Sequence, residues 1–166
     1  MKHSNRLVFI LLIFSLFIYV FYRTEHILIN KCVAFLVPHE FYLGLKSALK
    51  QALPLPNYFI FSLPGGLWVF CSSLLAQHYV ISIGSKSIKL VFLPLIFSVG
   101  LEIFQALHWF NGRFDWLDVL TYFLFWMVAF SIRPKTKSES ILRPFTCQKL
   151  YAILCFFSVY LAHSWK

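Results

Sequence analysis

Between Lys50 and Lys86 the chain carries no lysine, arginine, aspartate or glutamate, and most of that stretch is aliphatic or aromatic. A segment so long and so apolar has to be covered by protein or by lipid. Shorter apolar runs, with few charged residues, recur at 7–22, 88–108, 116–132 and 148–163. Across the 166 residues, 60% are hydrophobic and only 13% charged, with 20 phenylalanines. A soluble domain of this length needs more polar surface than that to cover its core. The sequence therefore predicts an all-α fold, a polytopic transmembrane helix bundle of about five spans. The expected spans are 7–22, 57–83, 88–108, 116–132 and 148–163, within a single membrane domain over 1–166 that leaves no room for a large extramembrane module.

The connecting segments refine this picture. Lys2 and Arg6 precede the first apolar run, as in a signal peptide. The run ends in Tyr19, Phe21, Tyr22 and Arg23, however, with no small-residue cleavage site, so it reads as a retained helix. In the segment that follows, Phe41, Leu45, Ala48, Leu49 and Ala52 recur at helical spacing, with Lys46, Ser47 and Lys50 opposite. That pattern suits an interfacial amphipathic helix in the first outer loop, its lysines toward water, or equally a helix packed on its neighbours. In Ser62-Leu63-Pro64-Gly65-Gly66-Leu67-Trp68, Pro64 lacks a backbone donor and two glycines follow it. Either a helix starts here with Ser62 as its cap, or a longer helix is broken here.

The net charge of +9 is scattered between the apolar runs and forms no basic stripe, which argues against nucleic acid as a partner. Lysine and arginine placement instead orients the chain with its N-terminus cytoplasmic and its C-terminus outside. Cys32, Cys71, Cys147 and Cys155 form no C-x-x-C pair, so they read as packing residues and indicate neither a disulfide framework nor a zinc site.

Glu102 interrupts the apolar 88–108 run, six residues or about 9 Å along a helix from His108. A carboxylate there costs about 2–3 kcal/mol in lipid and points to function. Gln105 falls on nearly the same side of that helix. Next comes Asn111-Gly112-Arg113-Phe114-Asp115-Trp116-Leu117-Asp118. In it Gly112 permits a turn, Asp115 has the position of a helix N-cap and Asp118 that of a first-turn acid. The short turn makes the flanking helices antiparallel neighbours, so Glu102 and Asp118 can face each other. The candidate functional site is Glu102, Gln105, Asp115 and Asp118, with Gly112, Pro64, Gly65 and Gly66 as the supporting turn and break. Two such acids could share a proton. Glu102, Asp115 and Asp118 could instead hold a divalent cation, although no resident cofactor is indicated.

The pattern Glu102-x-x-Gln105, then Gly112-x-x-Asp115-x-x-Asp118 opening the next helix, resembles the VanZ-like membrane proteins of bacteria. Leu63-Pro64-Gly65-Gly66-Leu67-Trp68 is similar to a segment in a branch of that family, and the resemblance covers residues 57–132. Many relatives carry Asn four residues after the second aspartate and Gly three residues further on; this chain has Tyr122 and Phe125. The resemblance implies a multi-pass protein of the bacterial cytoplasmic (inner) membrane. The family takes its name from a member linked to low-level teicoplanin resistance.

Four functions compete at this point. The chain could be a VanZ-like envelope protein whose outer acidic site binds or acts on a lipid-linked or glycopeptide-like molecule. It could be an enzyme proper with Glu102 in an acid–base role, although no nucleophile–His pair, H-E-x-x-H or G-x-S-x-G is present. It could be a small lipid or solute carrier, or a structural subunit whose partner is another membrane protein. Membrane lipid is a partner in each.

Overall fold

A computed structural model describes residues 2–23, 35, 37–83, 86–109, 112–132, 139–140, 150 and 153. Its elements, in chain order, are α1 (Lys2–Tyr22), α2 (His39–Ala52), α3 (Asn57–Phe61), α4 (Leu63–Ala76), β1 (Tyr79–Ile83), β2 (Lys86–Lys89), a 3-10 turn (Leu90–Phe92), α5 (Leu93–Ala106), α6 (Trp116–Ser131) and β3 (Glu139–Ser140).

The centre of the fold is α4. Its sequence is apolar on all sides, which is the mark of a helix enclosed by its neighbours. Every residue from Pro64 to Leu74 is buried, and the helix packs against α1, α5 and α6. One cluster on it joins Phe70, Cys71 and Leu74 to Val8 of α1 and Ala129 of α6. A second joins Trp68 and Val69 to Tyr122 of α6.

Gly65 and Gly66 make the α4–α6 approach possible. A Cβ on Gly65 would lie 2.7 Å from Tyr122 Cε1, and one on Gly66 would lie 2.6 Å from Thr121 Cγ2 and 2.8 Å from Phe125 Cδ2. Here the small residues sit on α4 and accept the large Tyr122 and Phe125 of α6.

The break between α3 and α4 has a local cause. Pro64 cannot donate to the carbonyl of Ile60 four residues earlier. Arg23, just past α1, supplies the missing donors: its Nε bonds Ile60 O at 3.3 Å and its Nη2 bonds Phe61 O at 2.6 Å. Ser62, at the break, makes no side-chain cap, but a helix does start here with Pro64 in its first turn, directly after the short α3, so the segment is at once a helix start and the break of a longer helical stretch.

β1 and β2 form an antiparallel hairpin in the register Val80↔Lys89, Ile81↔Ile88, Ser82↔Ser87 and Ile83↔Lys86. β3 adds in parallel to β1, for a sheet order of β2-β1-β3. The 3-10 turn that follows is pinned to α6 by Trp126 Nε1 donating to Val91 O at 3.0 Å. Gln77, just past α4, donates from Nε2 to Ala129 O and ties the far ends of α4 and α6 together.

The structure corrects the expected polytopic transmembrane bundle. Among the described residues no helix is long and apolar enough to cross a membrane. α4 and α5 have 14 residues each and α6 has 16. At 1.5 Å per residue these reach only about 21–24 Å, against a hydrocarbon core of about 30 Å. α1 has 21 residues, but its first five, Lys2 to Arg6, are polar. The expected span 57–83 divides into α3, α4 and β1, and the expected span 88–108 opens in β2 and the 3-10 turn before α5 begins. Apolar composition is shared by buried strands and buried helices, so hydropathy summed along the chain merged them. The fifth expected span, 148–163, and Cys32, Cys147 and Cys155 lie outside the described residues apart from Leu150 and Ile153.

α2 forms where the periodicity placed a helix, and it docks on α1 through Tyr42, whose hydroxyl donates to Val20 O at 2.7 Å. Ser47 and Lys50 are exposed as expected, but Lys46 departs from the expectation. Lys46 is turned inward, 6% exposed, with Nζ 5.4 Å from the centre of the Tyr42 ring, whereas Phe41 is 65% exposed. The long aliphatic stem of lysine packs well against an aromatic ring, which lets it take a place on the inner face.

Candidate acidic site

The site is built where α5 ends and α6 begins. α5 terminates in a Schellman arrangement. His108 takes the left-handed conformation with φ 60°, its N–H bonds Gln105 O at 3.0 Å, and the N–H of Trp109 bonds Phe104 O at 2.9 Å. Phe104 and Trp109 stack with ring centres 5.6 Å apart, the apolar contact that accompanies this cap. His108 is exposed and serves as the helix terminator. Gly112 follows at φ 143°, where a Cβ would lie 2.7 Å from Cδ of Gln105. Gln105 thus lies against the turn, half-buried.

Asp115 is the N-cap of α6. It has extended backbone angles, and its Oδ1 accepts from Leu117 N at 2.9 Å. Its carboxylate is exposed and committed to its own helix. The backbone N–H of Asp115 points the other way, into the fold, and donates to Glu102 Oε2 at 3.3 Å.

Glu102 is 2% exposed. Burial pushes its carboxyl up to about 7; the bond from Asp115 opposes this, the charges of Asp118 and Asp115 add to it, and a side-chain bond from Tyr122 opposes it. Asp118 occupies the third position of α6, where an acid ordinarily folds back onto the N-cap amide. Glu102 already holds that amide, and Asp118 is half-buried, bonded by the Ser62 hydroxyl. Burial raises the Asp118 carboxyl, the Ser62 bond lowers it, Asp115 raises it and Arg23 lowers it. Tyr122 is held well above its ordinary range by burial, then by the charges of Asp118 and Glu102.

Beside Glu102 lies a cavity of about 20 Å³ lined by Gly65, Trp68, Phe97, Ser98, Leu101, Glu102 and Tyr122. That is space for about one water molecule. The site therefore offers a carboxyl that can be protonated or ionised near neutral pH, a phenol lining the same cavity, and a second carboxylate close enough to feel its charge.

Of the four residues expected from the sequence, Glu102 and Asp118 come together, Asp115 contributes a backbone donor, and Gln105 packs against the turn. Among the described residues no three His, Cys, Asp or Glu side chains gather around one point in a way that could hold a metal ion. Glu102, Asp115 and Asp118 fail to do so because the Asp115 carboxylate faces its own helix.

Tyr122, Ser62, Tyr19 and Arg23 were missed. Tyr122 lies four residues after Asp118, so helical spacing alone placed it on the same face. No local signal reports Ser62, Tyr19 or Arg23, because they reach the site only through packing of α1 and α4 on α6.

Fold and site together define a mostly helical protein with a buried glutamate beside a half-buried aspartate where two helices meet at a short turn. No protein-family model, curated protein or solved structure matches the chain.

Proposed function

We propose that this chain is a lipid-associated protein of the bacterial envelope, similar to the VanZ-like proteins, whose Glu102–Asp118–Tyr122 centre works as an acid–base site. The observation that carries this reading is Glu102: a 2%-exposed carboxyl, with Tyr122 lining the same small cavity, that changes charge near pH 7. Buried acids with displaced ionisation, paired with a second acid, mark places where a proton is taken up or delivered.

The exterior supports the lipid association. Ile10 and Phe9 on α1, Ile96 and Ile103 on α5, and Leu124 and Val128 on α6 all face outward. Exposed apolar area on that scale calls for an apolar surrounding. The target is the polar part of an envelope molecule, lipid-linked or glycopeptide-like, presented at the α5–α6 junction. The cavity admits a water or a small polar group rather than a whole headgroup, so the larger part of such a molecule stays outside it.

A second reading has an observation of its own. Glu102 Oε2 accepts from Asp115 N, so the glutamate also works as a cap supplied to α6 by the neighbouring helix. Glu102→Gln separates the two, because glutamine still accepts that bond and cannot ionise. The acid–base reading expects Glu102→Gln and Asp118→Asn each to abolish the envelope phenotype of the gene at normal protein abundance. Retention of that phenotype by both variants leaves the structural reading.

A further inference from the structure

The described tryptophans fall into two pairs. Trp68 is buried on α4, and Trp126 is half-buried with its indole N–H bonded to Val91 O. Trp109 and Trp116, by contrast, are 72% and 75% exposed, and they stand at the two ends of the turn that joins α5 to α6. A neighbouring ring sets each of them. Trp109 stacks on Phe104, and Trp116 meets Phe114 edge to face with centres 4.9 Å apart.

α3 brings further exposed rings to the same end of the fold. Thr121 Oγ1 donates to the Tyr58 hydroxyl oxygen at 3.3 Å, which seats α3 beside the start of α6, and Tyr58 and Phe59 are exposed. The apolar surface also runs on from the turn, through Leu107 at the end of α5 and Leu117 and Leu120 on α6. An indole joins a broad apolar ring to a single N–H donor, so it is most stable where hydrocarbon gives way to water. A sugar-binding platform also uses exposed tryptophans, but it does not call for aliphatic surface continuing along both helices.

We propose that the α5–α6 turn is an interfacial anchor, with Trp109 and Trp116 seated at the headgroup boundary of a phospholipid leaflet. This rests on the lipid association proposed above and adds which part of the chain meets the polar surface of the lipid. It also holds the Glu102 site at headgroup depth. Arg113, exposed within the turn, supplies a cation suited to lipid phosphates, while the Asp115 carboxylate two residues on is committed to capping α6.

The test mixes the purified full chain with vesicles of phosphatidylcholine and phosphatidylglycerol whose acyl chains are brominated either near the headgroup or near the methyl end. Tryptophan fluorescence is read for the parent, Trp109→Phe, Trp116→Phe and the double variant. Bromines near the headgroup should quench the parent more than deep ones, and the double variant should lose most of that shallow preference. Phenylalanine keeps a ring against Phe104 and Phe114, so the variants should fold, which thermal melts check. Should the double variant not fold, the two single variants decide, each losing part of the preference.

Equal quenching of parent and double variant, or stronger quenching by deep bromines, overturns the anchor. An oligomer of N-acetylglucosamine that shifts the emission of the parent but not of the double variant, where the bromolipids leave both alike, overturns it in favour of a sugar platform. Flotation of the vesicles on a density gradient separates the two lipid readings. A protein that floats without quenching at these positions keeps the lipid association and loses the anchor; one that stays behind loses both. Glu102→Gln should be quenched like the parent whatever it does to the envelope phenotype, so the anchor and the acid–base site fail independently.

Discussion

Glu102 accepts a hydrogen bond from the backbone N–H of Asp115, thirteen residues later in the chain, at 3.3 Å. That one bond joins the end of α5 to the start of α6 and frees Asp118 to turn toward Ser62. It makes Glu102 both a tertiary helix cap and the buried acid of the site.

The pH dependence of stability follows from the raised Glu102 carboxyl. Unfolded, the group loses its proton near 4.5; folded, it does so near 7. Between those values the native state binds more protons than the unfolded state, so stability falls as pH rises through that window. The raised Asp118 carboxyl adds in the same direction. Thermal melts from pH 4 to 8 should show this decline in the parent and a flatter profile in Glu102→Gln. A Glu102→Gln profile as steep as the parent's would assign the effect elsewhere.

Asp115 should behave as a cap. Asp115→Asn keeps an acceptor for Leu117 N and should be nearly silent, whereas Asp115→Ala should cost about 1 kcal/mol. Denaturant titration of both variants measures the difference. Equal losses would mean that the charge of Asp115, rather than its capping bond, matters.

The glycines of α4 should resist enlargement. Gly66→Ala brings a methyl within 2.6 Å of Thr121 and 2.8 Å of Phe125. Overpacking of this kind costs about 1–3 kcal/mol, more than the better helix propensity of alanine returns. In a Phe125→Ala background the added cost of Gly66→Ala should be smaller, because one of the two close contacts is gone. A Gly66→Ala protein that melts above the parent would contradict the close α4–α6 approach.

His108 holds a left-handed conformation that suits glycine better. His108→Gly should raise stability by up to about 1 kcal/mol, read as a higher melting temperature, and leave the pH profile of the Glu102 site unchanged. A lower melting temperature would show that the His108 side chain contributes more than its backbone costs.

Local rules carried the sequence reading furthest where they act alone. Asp115 as N-cap, Gly112 as the turn glycine, Pro64 as a break and Phe41–Ala52 as a helix are each set by neighbours within a few residues, and each appears in the structure. The hairpin of β1 and β2 left a local trace as well. Gly84-Ser85 sits between two short runs containing Val80, Ile81, Ile83 and Ile88, a spacing suited to a two-residue turn. A hydropathy reading passed over it, because isoleucine and valine are as apolar in a strand as in a helix.

By itself, then, the sequence determined the N-cap of α6, the break at Pro64, the acid interrupting an apolar run and the antiparallel pairing of the helices that bear Glu102 and Asp118, since these follow from backbone constraints and short-range periodicity. Only the tertiary structure decided how long each helix runs and which groups meet Asp118. Ser62, Tyr19 and Arg23 arrive from α1 and the α3–α4 break, and their local sequence offers Ser62 only as a helix cap and Tyr19 and Arg23 only as the end of an apolar run. Their proximity arises because Gly65 and Gly66 let α4 close onto α6, and because Arg23 must satisfy the carbonyls left near Pro64. Contacts between distant segments depend on how whole helices pack, and that packing is settled by the sum of many side chains at once.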